Sequence, residues 1–448
     1  MAIIATDRDA KGLLDDLPMS SFQVWTVLMT AATVVLDGLD NQMLGLAAPS
    51  LLKEWGIGRE ALGLVFALGF VGMAIGTLTA GWFGDRFGRR GALLAGVAVF
   101  GVATLATGFS DALWQVAALK TLAGIGLGGV PGTASAMIAE FTPARWRSAA
   151  VTFGVVCVSI GGILGGVAAA AILPVLGWRW LFYLGGTVTI VFTVALWRLL
   201  PESPRFLEFQ PHRRTEYDRL MHRMGATDAV RIAAEAPSVK SGPAPFSALF
   251  QGLLLRDSLA LSLAMFSGMF MIYLMFNWAP TMLSASGFGL SSASLGLTSF
   301  NIGGTLGAVA ASFAIMRFGS RPTLVLMAIV GAGACVFLAV LDIGGGRNEP
   351  AVLAGLGALG LFASAAQSAM FAVGAHAFPT ILRGRGLGLM GAAGRAGAIV
   401  SSVAGAGLIG GGNALFFGVL AALMLVNTVG FLSIRGHVPP LVRKGIAA

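Results

Sequence analysis

Two carboxylates three residues apart, Asp37 and Asp40, lie in a stretch of the chain that is otherwise apolar. The surrounding sequence, VVLDGLDNQMLGLAAPSL, belongs to a segment at residues 22–48 that is long enough to cross a lipid bilayer. A charge at membrane depth is costly unless it is paired, hydrated or protonated. Helical spacing projects these two carboxylates from nearly the same face, so we expect that face to line a polar pathway. The alternative is that both aspartates form structural salt bridges with neighbouring helices.

Two basic residues, Lys120 and Arg395, also fall within apolar segments. At about 1.5 Å per residue, Asp40 and Lys120 lie at a similar depth, roughly 10–12 Å from the same membrane boundary. An ion pair between Lys120 and either Asp37 or Asp40 is therefore geometrically allowed. Arg395 lies near the midplane, where its guanidinium would suit a carboxylate ligand. The alternative for Arg395 is a structural contact within its own half of the chain.

The composition predicts an all-α integral membrane protein. Hydrophobic residues make up 56% of the chain and charged residues only 11%, whereas a soluble domain carries about 25% charged residues. A transmembrane helix needs roughly 20 mainly apolar residues. Twelve segments meet this requirement: 22–48, 61–81, 91–109, 113–139, 149–173, 179–199, 257–283, 292–316, 321–342, 351–373, 386–410 and 413–434.

The distribution of Lys and Arg predicts the orientation of the chain. If the N-terminus is cytoplasmic, all but six of the 29 basic residues lie on the cytoplasmic side, as the positive-inside rule requires. The six exceptions are Lys53, Arg59, Arg179 and Arg347 outside, and Lys120 and Arg395 within the spans. Both termini are therefore expected in the cytoplasm. The net charge of +9 reflects this bias and attraction to anionic lipid, not nucleic-acid binding.

The sequence offers no pattern typical of an enzyme or of a metal site. Cys157 and Cys335 lie far apart in apolar segments, and the four histidines are scattered. The glycine run GIGLGG at 124–129 falls inside a membrane segment, where glycines favour close helix packing over nucleotide binding. We therefore expect no enzymatic activity, no metal and no cofactor.

The longest polar interruption divides the chain into two halves of six spans each. The predicted units are residues 1–200, a cytoplasmic central loop at 201–256, and residues 257–448. Similar polar motifs follow corresponding spans, with GDRFGRR at 84–90 matched by MRFGSRP at 316–322. Parallel six-helix repeats with a binding site between them describe one large transporter fold.

Several motifs resemble a known family of transporters. GWFGDRFGRR resembles the loop between helices two and three of the major facilitator superfamily, and PESPRFL resembles the end-of-helix-six motif of its sugar and organic-anion branches. DGLDNQMLGLAAPSL, KTLAGIGLGGVPGTASAMIAEFTPARWRSAA, IYLMFNWAP and GLMGAAGRAGAI are similar to the aromatic acid:proton symporters of that superfamily. The resemblance covers essentially the whole chain and implies the major facilitator fold.

The chain departs from these symporters at three places. Lys120 stands where they usually carry arginine, which removes the planar two-pronged donor. Met316 stands where an aspartate is common, which leaves Arg317 and Arg321 without that acid and implies a weaker gate in the second half. The central loop is also somewhat extended.

Two further groups of residues are candidates for function; the resemblance implies the first, and the chemistry of the side chains suggests the second. Charges at the cytoplasmic ends of the helices are expected to hold the inner side shut: Asp85, Arg89, Glu140, Arg147, Glu202, Arg205, Arg317, Arg321 and Arg383. Side chains near the midplane are candidate substrate contacts beside Arg395: Asn41, Tyr273, Asn277, Trp278, Asn301, Gln367 and Phe371. The alternatives are ordinary loop charges for the first group and plain helix packing for the second.

The charges within the spans suggest a mechanism. Asp37, Asp40, Lys120 and Arg395 sum to zero, so an anionic substrate adds one uncompensated negative charge. Protonating one aspartate restores neutrality, and because charge at membrane depth is costly, proton and anion are expected to cross together. Either aspartate fits the proton-carrying role.

The sequence thus predicts a monomeric symporter that imports a small aromatic carboxylate with protons across the bacterial inner membrane. One alternative is a carrier of another organic anion, or an exporter, because a fold does not fix substrate or direction. Another is a transport-inactive membrane sensor on the same scaffold. An integral membrane enzyme is the weakest alternative, since the sequence has no nucleophile and base constellation.

Overall fold

The computed structural model describes residues 18–225, 245–379 and 381–440. Twelve helices in these ranges are long and apolar enough to span a membrane, which confirms the predicted number of spans. The first half contains α1 (Ser21–Trp55), α2 (Arg59–Phe87), α3 (Arg89–Thr107), α4 (Leu113–Phe141), α5 (Ala144–Leu176) and α6 (Trp178–Leu199). The second half contains α7 (Gly252–Ala285), α8 (Leu290–Phe318), α9 (Ser320–Val340), α10 (Glu349–Ala377), α11 (Arg383–Gly410) and α12 (Gly412–Ser433).

Helix α1 begins at a capping box and runs further than predicted. The Ser20 hydroxyl accepts from the Gln23 N–H, and the Gln23 side chain accepts from the Ser20 N–H, which satisfies two donors at the helix start. The helix passes through Pro49 instead of ending there, because a proline in a membrane helix removes a single backbone hydrogen bond. It ends at Gly56, which adopts the left-handed conformation at φ 60°.

The predicted sequence repeat is visible in the backbone. Gly88 joins α2 to α3 with φ 91°, and Gly319 joins α8 to α9 with φ 84°, a region that favours glycine. Each glycine packs against the segment that follows the last helix of its half. A Cβ added at Gly88 would lie 2.2 Å from Glu202 Oε2, and one at Gly319 would lie 3.2 Å from the Val438 carbonyl oxygen. The two corner motifs therefore have equivalent conformations and equivalent neighbours.

The two halves meet mainly through three pairs of helices, α1 with α7, α2 with α11, and α5 with α8, and α1 also contacts α8. With an even number of crossings, the start of α1 and the end of α12 lie at the same end of the bundle, here called the terminal end; the opposite end is the distal end. Close approaches between the halves lie toward the distal end. A Cβ added at Gly45 would lie 2.1 Å from the Phe276 carbonyl oxygen, and one at Gly63 would lie 2.9 Å from that of Ser402.

The central segment is described in part. It contains a short helix at Pro204–Glu208 and a second at Arg214–Arg223, whose Tyr217, Leu220 and Met221 are buried. Residues 226–244, which belong to the predicted cytoplasmic loop at 201–256, lie outside the described residues, as do 1–17 and 441–448. The proposed unit boundaries and the cytoplasmic placement of the termini stay predictions.

Candidate functional site

An ion pair between two helices of the first half lies within the bundle. Lys120 Nζ on α4 lies 2.9 Å from Asp40 Oδ2 on α1 and also donates to the Asp40 main-chain oxygen at 3.1 Å. The Asp40 and Lys120 side chains are only 2% and 10% exposed, so solvent screens the pair weakly. Of the two pairings that the sequence allowed, the structure forms the one with Asp40.

Thr104 on α3 completes the environment of Asp40. Its hydroxyl donates to Asp40 Oδ1, so both carboxylate oxygens have partners. A hydrogen bond to a charged group contributes about 1.5–3 kcal/mol, and this one fixes the carboxylate in a single orientation. The sequence analysis missed Thr104, because a single threonine in an apolar helix gives no signal of the direction in which its hydroxyl points.

Asp37 lies one helical turn before Asp40 in a different environment. Its side chain is buried, and Oδ1 has no hydrogen-bond partner among the described residues. Among charged groups, Arg395 has the largest electrostatic effect on Asp37, followed by Asp40 and then Lys120. Charges of both halves therefore act on Asp37: the Asp40–Lys120 pair of the first half and Arg395 of the second half.

Arg395 on α11 faces the first half across the interface. Its Nη1 lies 3.5 Å from Met73 Sδ on α2. The Tyr273 side chain on α7 lies near the side chains of Asn41 and Arg395. No carboxylate in the described ranges approaches the guanidinium to ion-pair distance. Arg395 thus keeps donors for a ligand at the boundary between the two halves.

A small cavity lies beside these residues, with about 30 Å³ open to the centres of water molecules. Since one water needs roughly 10–15 Å³ by this measure, about two waters fit and a phenyl ring does not. Three polar residues, Asn41, Lys120 and Asn277, contribute to the lining. The other lining residues are apolar or glycine: Leu44, Val65, Phe66, Gly69, Phe70, Met73, Gly124 and Leu127.

The aromatic wall of the cavity comes from α2, which the sequence analysis did not predict. Phe66 and Phe70 lie four residues apart and so share a helix face, followed by Met73 on the same side. The Phe70 ring centroid lies 4.5 Å from that of Tyr273 in an edge arrangement. The Phe-x-x-x-Phe-x-x-Met spacing was the available signal, but such stripes are typical of ordinary helix packing as well.

Four predicted substrate contacts point elsewhere in this conformation. Asn301 exchanges two hydrogen bonds with Gln42 across the halves, at 2.8 and 3.1 Å. Trp278 is fully buried and donates to the Ser402 carbonyl at 3.0 Å, as plain helix packing would require. Gln367 contacts Met265 Sδ. Phe371 is 47% exposed and is not among the residues that line the cavity.

Asn41, Tyr273 and Asn277 are the predicted contacts that the structure brings to the site. Asn277 lines the cavity and donates to Ser402 Oγ at 3.3 Å, which fixes its amide on α11. Asn41 also lines the cavity, directly after Asp40 in α1. Together with Arg395, these residues place polar groups of both halves around one apolar space.

At the terminal end, part of the predicted charge network forms in the first half. Arg89 Nε lies 2.9 Å from Glu140 Oε1, and the Ser203 hydroxyl donates to Glu140 Oε2. The Glu202 carboxylate accepts from the backbone N–H groups of Arg90 and Ser203, both at 2.9 Å. Burial raises the pKa of Glu202, opposed by these hydrogen bonds.

Other predicted gate residues have different surroundings. Arg147 donates to the carbonyls of Ala139 and Thr142, and Arg321 donates to the Leu432 carbonyl at 3.4 Å. The remaining predicted gate residues have exposed side chains: Asp85, Arg205, Arg317 and Arg383. These four form no ion pair in the described ranges, and an exposed ion pair would contribute only about 0–1 kcal/mol.

The fold and the charged site between its halves define a multi-pass membrane transport protein. A family model described as Major Facilitator Superfamily matches residues 30–344. The chain therefore belongs to the Major Facilitator Superfamily, whose members are transporters and not enzymes, and it is a protein of the bacterial inner membrane.

Curated relatives extend over nearly the whole chain. The gallate transporter of Pseudomonas putida is 32% identical and covers 96% of this chain and 95% of its own length. The 4-hydroxybenzoate transporter PcaK of Pseudomonas aeruginosa is 35% identical over 93% of each chain. Among solved structures, the xylose transporter XylE from E. coli in an inward open conformation superposes with a TM-score of 0.73 at 19% identity, over 95% of this chain and 98% of the other.

Proposed function

We propose that this protein is a symporter that carries a small aromatic carboxylate into the cell together with a proton. The substrate class is supported by the relatives, two of which are transporters of gallate and 4-hydroxybenzoate. Both compounds join a phenyl ring to a carboxylate and hydroxyl groups. A site for them needs a cation, an aromatic wall and a few hydrogen-bonding groups.

The observation that carries the proposal is the position of Arg395. The guanidinium lies half-buried at the interface, without an ion-paired carboxylate among the described residues, beside a cavity walled by Phe66 and Phe70. A guanidinium binds a carboxylate through two parallel N–H donors. A substrate with its carboxylate on Arg395 would lay its ring along α2, with Asn41 and Asn277 near its hydroxyl groups.

We assign the transported proton to Asp37. Both Asp40 oxygens are bound, by Lys120 and by Thr104, whereas Asp37 Oδ1 lacks a partner in the described structure. Without substrate, Arg395 is the cation with the largest electrostatic effect on Asp37. A substrate carboxylate would compete for that arginine, and Asp37 would then take up a proton because an unpaired carboxylate is costly at this depth. Binding of anion and proton is coupled in this way.

The described conformation fits one stage of such a cycle. The halves are in close contact toward the distal end, where the Gln42–Asn301 pair joins them. If the terminal end is cytoplasmic, as the distribution of Lys and Arg predicts, the distal end is the closed outer side. The cavity is too small for a ring, so the halves must move apart before a substrate enters.

A counterflow experiment in liposomes tests the substrate assignment. Purified protein is reconstituted, the vesicles are loaded with unlabelled 4-hydroxybenzoate, and entry of labelled 4-hydroxybenzoate is followed. We expect benzoate and gallate to compete, and citrate and 4-hydroxybenzamide to compete poorly, because the first lacks a ring and the second lacks a carboxylate. Equal competition by citrate would support a carrier of other organic anions. Saturable binding without exchange would support a sensor.

A further inference from the structure

A second concave region lies on the outside of the bundle, between α7 and α12 at the terminal end. This groove measures about 450 Å³. Leu255, Leu259 and Leu263 form one wall at four-residue spacing along α7, and Val429 forms the other wall on α12. These four side chains are 39% to 59% exposed. They face away from the bundle interior, toward the surface that a bilayer would cover.

Small residues make the groove deep. Ala260 and Gly430 lie between its walls, where α7 and α12 approach closely. A Cβ added at Gly430 would lie 3.1 Å from the Ala264 Cβ and 3.4 Å from the Ala260 carbonyl oxygen. The groove extends along α7 from Gly252 to Leu263, about 16 Å at roughly 1.5 Å per residue. Half of a hydrocarbon core of about 30 Å is nearly the same length.

An arginine lies at the mouth of the groove. Arg256 Nε donates to the Ser433 carbonyl at 2.8 Å, at the C-terminus of α12. A guanidinium has five N–H donors, so this bond leaves both terminal nitrogens of the exposed side chain for a ligand. The neighbouring acid, Asp257, is buried and accepts from the Arg435 backbone N–H at 2.8 Å. These two bonds tie α7 to the end of α12 and give the mouth a fixed shape.

We propose that this groove binds one anionic phospholipid, with an acyl chain between α7 and α12 and its phosphate on Arg256. The apolar walls match an acyl chain in chemistry, and the length of the groove matches one leaflet. The charge at the mouth is complementary to a phosphate, and Arg321, which donates to the Leu432 carbonyl on the same helix end, adds to it. Basic sites between helix ends are a recurrent feature of anionic lipid recognition. The proposal depends on the membrane-spanning fold and not on the transported substrate.

Native mass spectrometry of the full-length protein tests this proposal. Dioleoyl phosphatidylglycerol and dioleoyl phosphatidylcholine are titrated separately into protein in detergent micelles. We expect one phosphatidylglycerol to bind about fivefold more tightly than phosphatidylcholine, since a basic residue near a lipid surface contributes about 1 kcal/mol. Inorganic phosphate should not displace the lipid, because the acyl chain contributes to binding. Displacement by phosphate would reduce the site to a simple anion site and contradict the proposal.

Two variants address the two parts of the site. Arg256→Gln should reduce the preference for phosphatidylglycerol, with Arg321 left as the remaining charge, and Val429→Phe should weaken binding of both lipids by filling the groove without changing charge. Arg219→Gln is the matched control, because it removes an exposed arginine from the central segment, away from the groove. An unchanged lipid preference in Arg256→Gln, or unchanged binding in Val429→Phe, would overturn the proposal. A protein dimer lost in Val429→Phe would instead assign the groove to a second copy of the chain.

Discussion

Lys120 Nζ lies 2.9 Å from Asp40 Oδ2 and 3.1 Å from the main-chain oxygen of the same residue. The lysine therefore binds both the side chain and the backbone of α1 at this position. Asp37, one turn earlier, has a buried oxygen without a hydrogen-bond partner in the described ranges. The two aspartates that the sequence presents as equivalent thus have different surroundings, and we assign them different roles: Asp40 as a fixed anion and Asp37 as the group that changes its protonation.

Lys120→Ala should separate substrate exchange from net accumulation. The substitution leaves Asp40 buried with Thr104 as its remaining partner, which costs several kcal/mol unless Asp40 takes up a proton. Protonation of Asp40 offsets the loss of the lysine charge, but the carrier then holds a proton that it does not release. Exchange does not require proton release, whereas accumulation does. We expect exchange to survive and gradient-driven accumulation to fall, with the pH profile of uptake displaced from that of wild type. Lys120→Arg, which keeps the charge, should retain most activity; identical profiles for all three proteins would remove Lys120 from the coupling.

Thr104→Val should lower the stability of the protein without changing its shape. The replacement is nearly isosteric and deletes the donor to Asp40 Oδ1, so the unfolding free energy should fall by about 1–3 kcal/mol. Thermal unfolding in detergent measures the change. Thr104→Ser keeps the hydroxyl and is the matched control. Equal melting temperatures for the valine and serine variants would show that the hydroxyl contributes nothing to Asp40.

Arg395→Lys should weaken substrate binding more than it affects expression. The charge stays near the interface, but the two-pronged donor that fits a carboxylate is lost. We expect the apparent affinity for 4-hydroxybenzoate to fall about tenfold, equivalent to about 1.4 kcal/mol. Counterflow at several substrate concentrations gives this value. If wild type accepts 4-hydroxybenzamide as well as the acid, Arg395 does not recognise a carboxylate.

The burial of Glu202 at the terminal end leads us to expect that the stability of the protein depends on pH. Burial raises its pKa above the ordinary value of 4.5, so the folded protein holds a proton that the unfolded chain releases. Its contribution to stability is therefore present below pH 4.5 and is lost as the pH rises through the raised pKa. Glu202→Gln should flatten the melting temperature across this range. Glu208→Gln, at an exposed carboxylate of the same segment, should not; the same slope in wild type and Glu202→Gln would refute this assignment.

The features predicted correctly are those that depend on one segment of the sequence at a time. Apolar length defined the twelve helices, and residue counting placed Asp40 and Lys120 at the same depth. The glycines of the GIGLGG run pack as expected, since a Cβ at Gly124 would lie 2.2 Å from the Gly69 carbonyl oxygen. Each of these inferences needs the position of a residue along a helix axis and nothing about the rotation of the helix.

The features that were missed depend on helix rotation and on pairs distant in sequence. A membrane helix that is apolar all round shows little difference between its faces, so the sequence did not show that α2 supplies the aromatic wall. Asn301 was expected at the substrate site, yet it pairs with Gln42, which lies 259 residues away. Phe371 was expected to stack on a ring, but its side chain is exposed.

Proton coupling through Asp37 is the central claim, and accumulation of labelled 4-hydroxybenzoate in liposomes tests it most directly. Vesicles with wild type, Asp37→Asn or no protein receive an inward proton gradient, with and without an uncoupler. The protein-free vesicles correct for diffusion of the neutral acid. We predict that wild type accumulates substrate above this background and loses accumulation with the uncoupler, while Asp37→Asn exchanges substrate but does not accumulate it. Accumulation by wild type that survives the uncoupler, or equal accumulation by Asp37→Asn, would contradict the account.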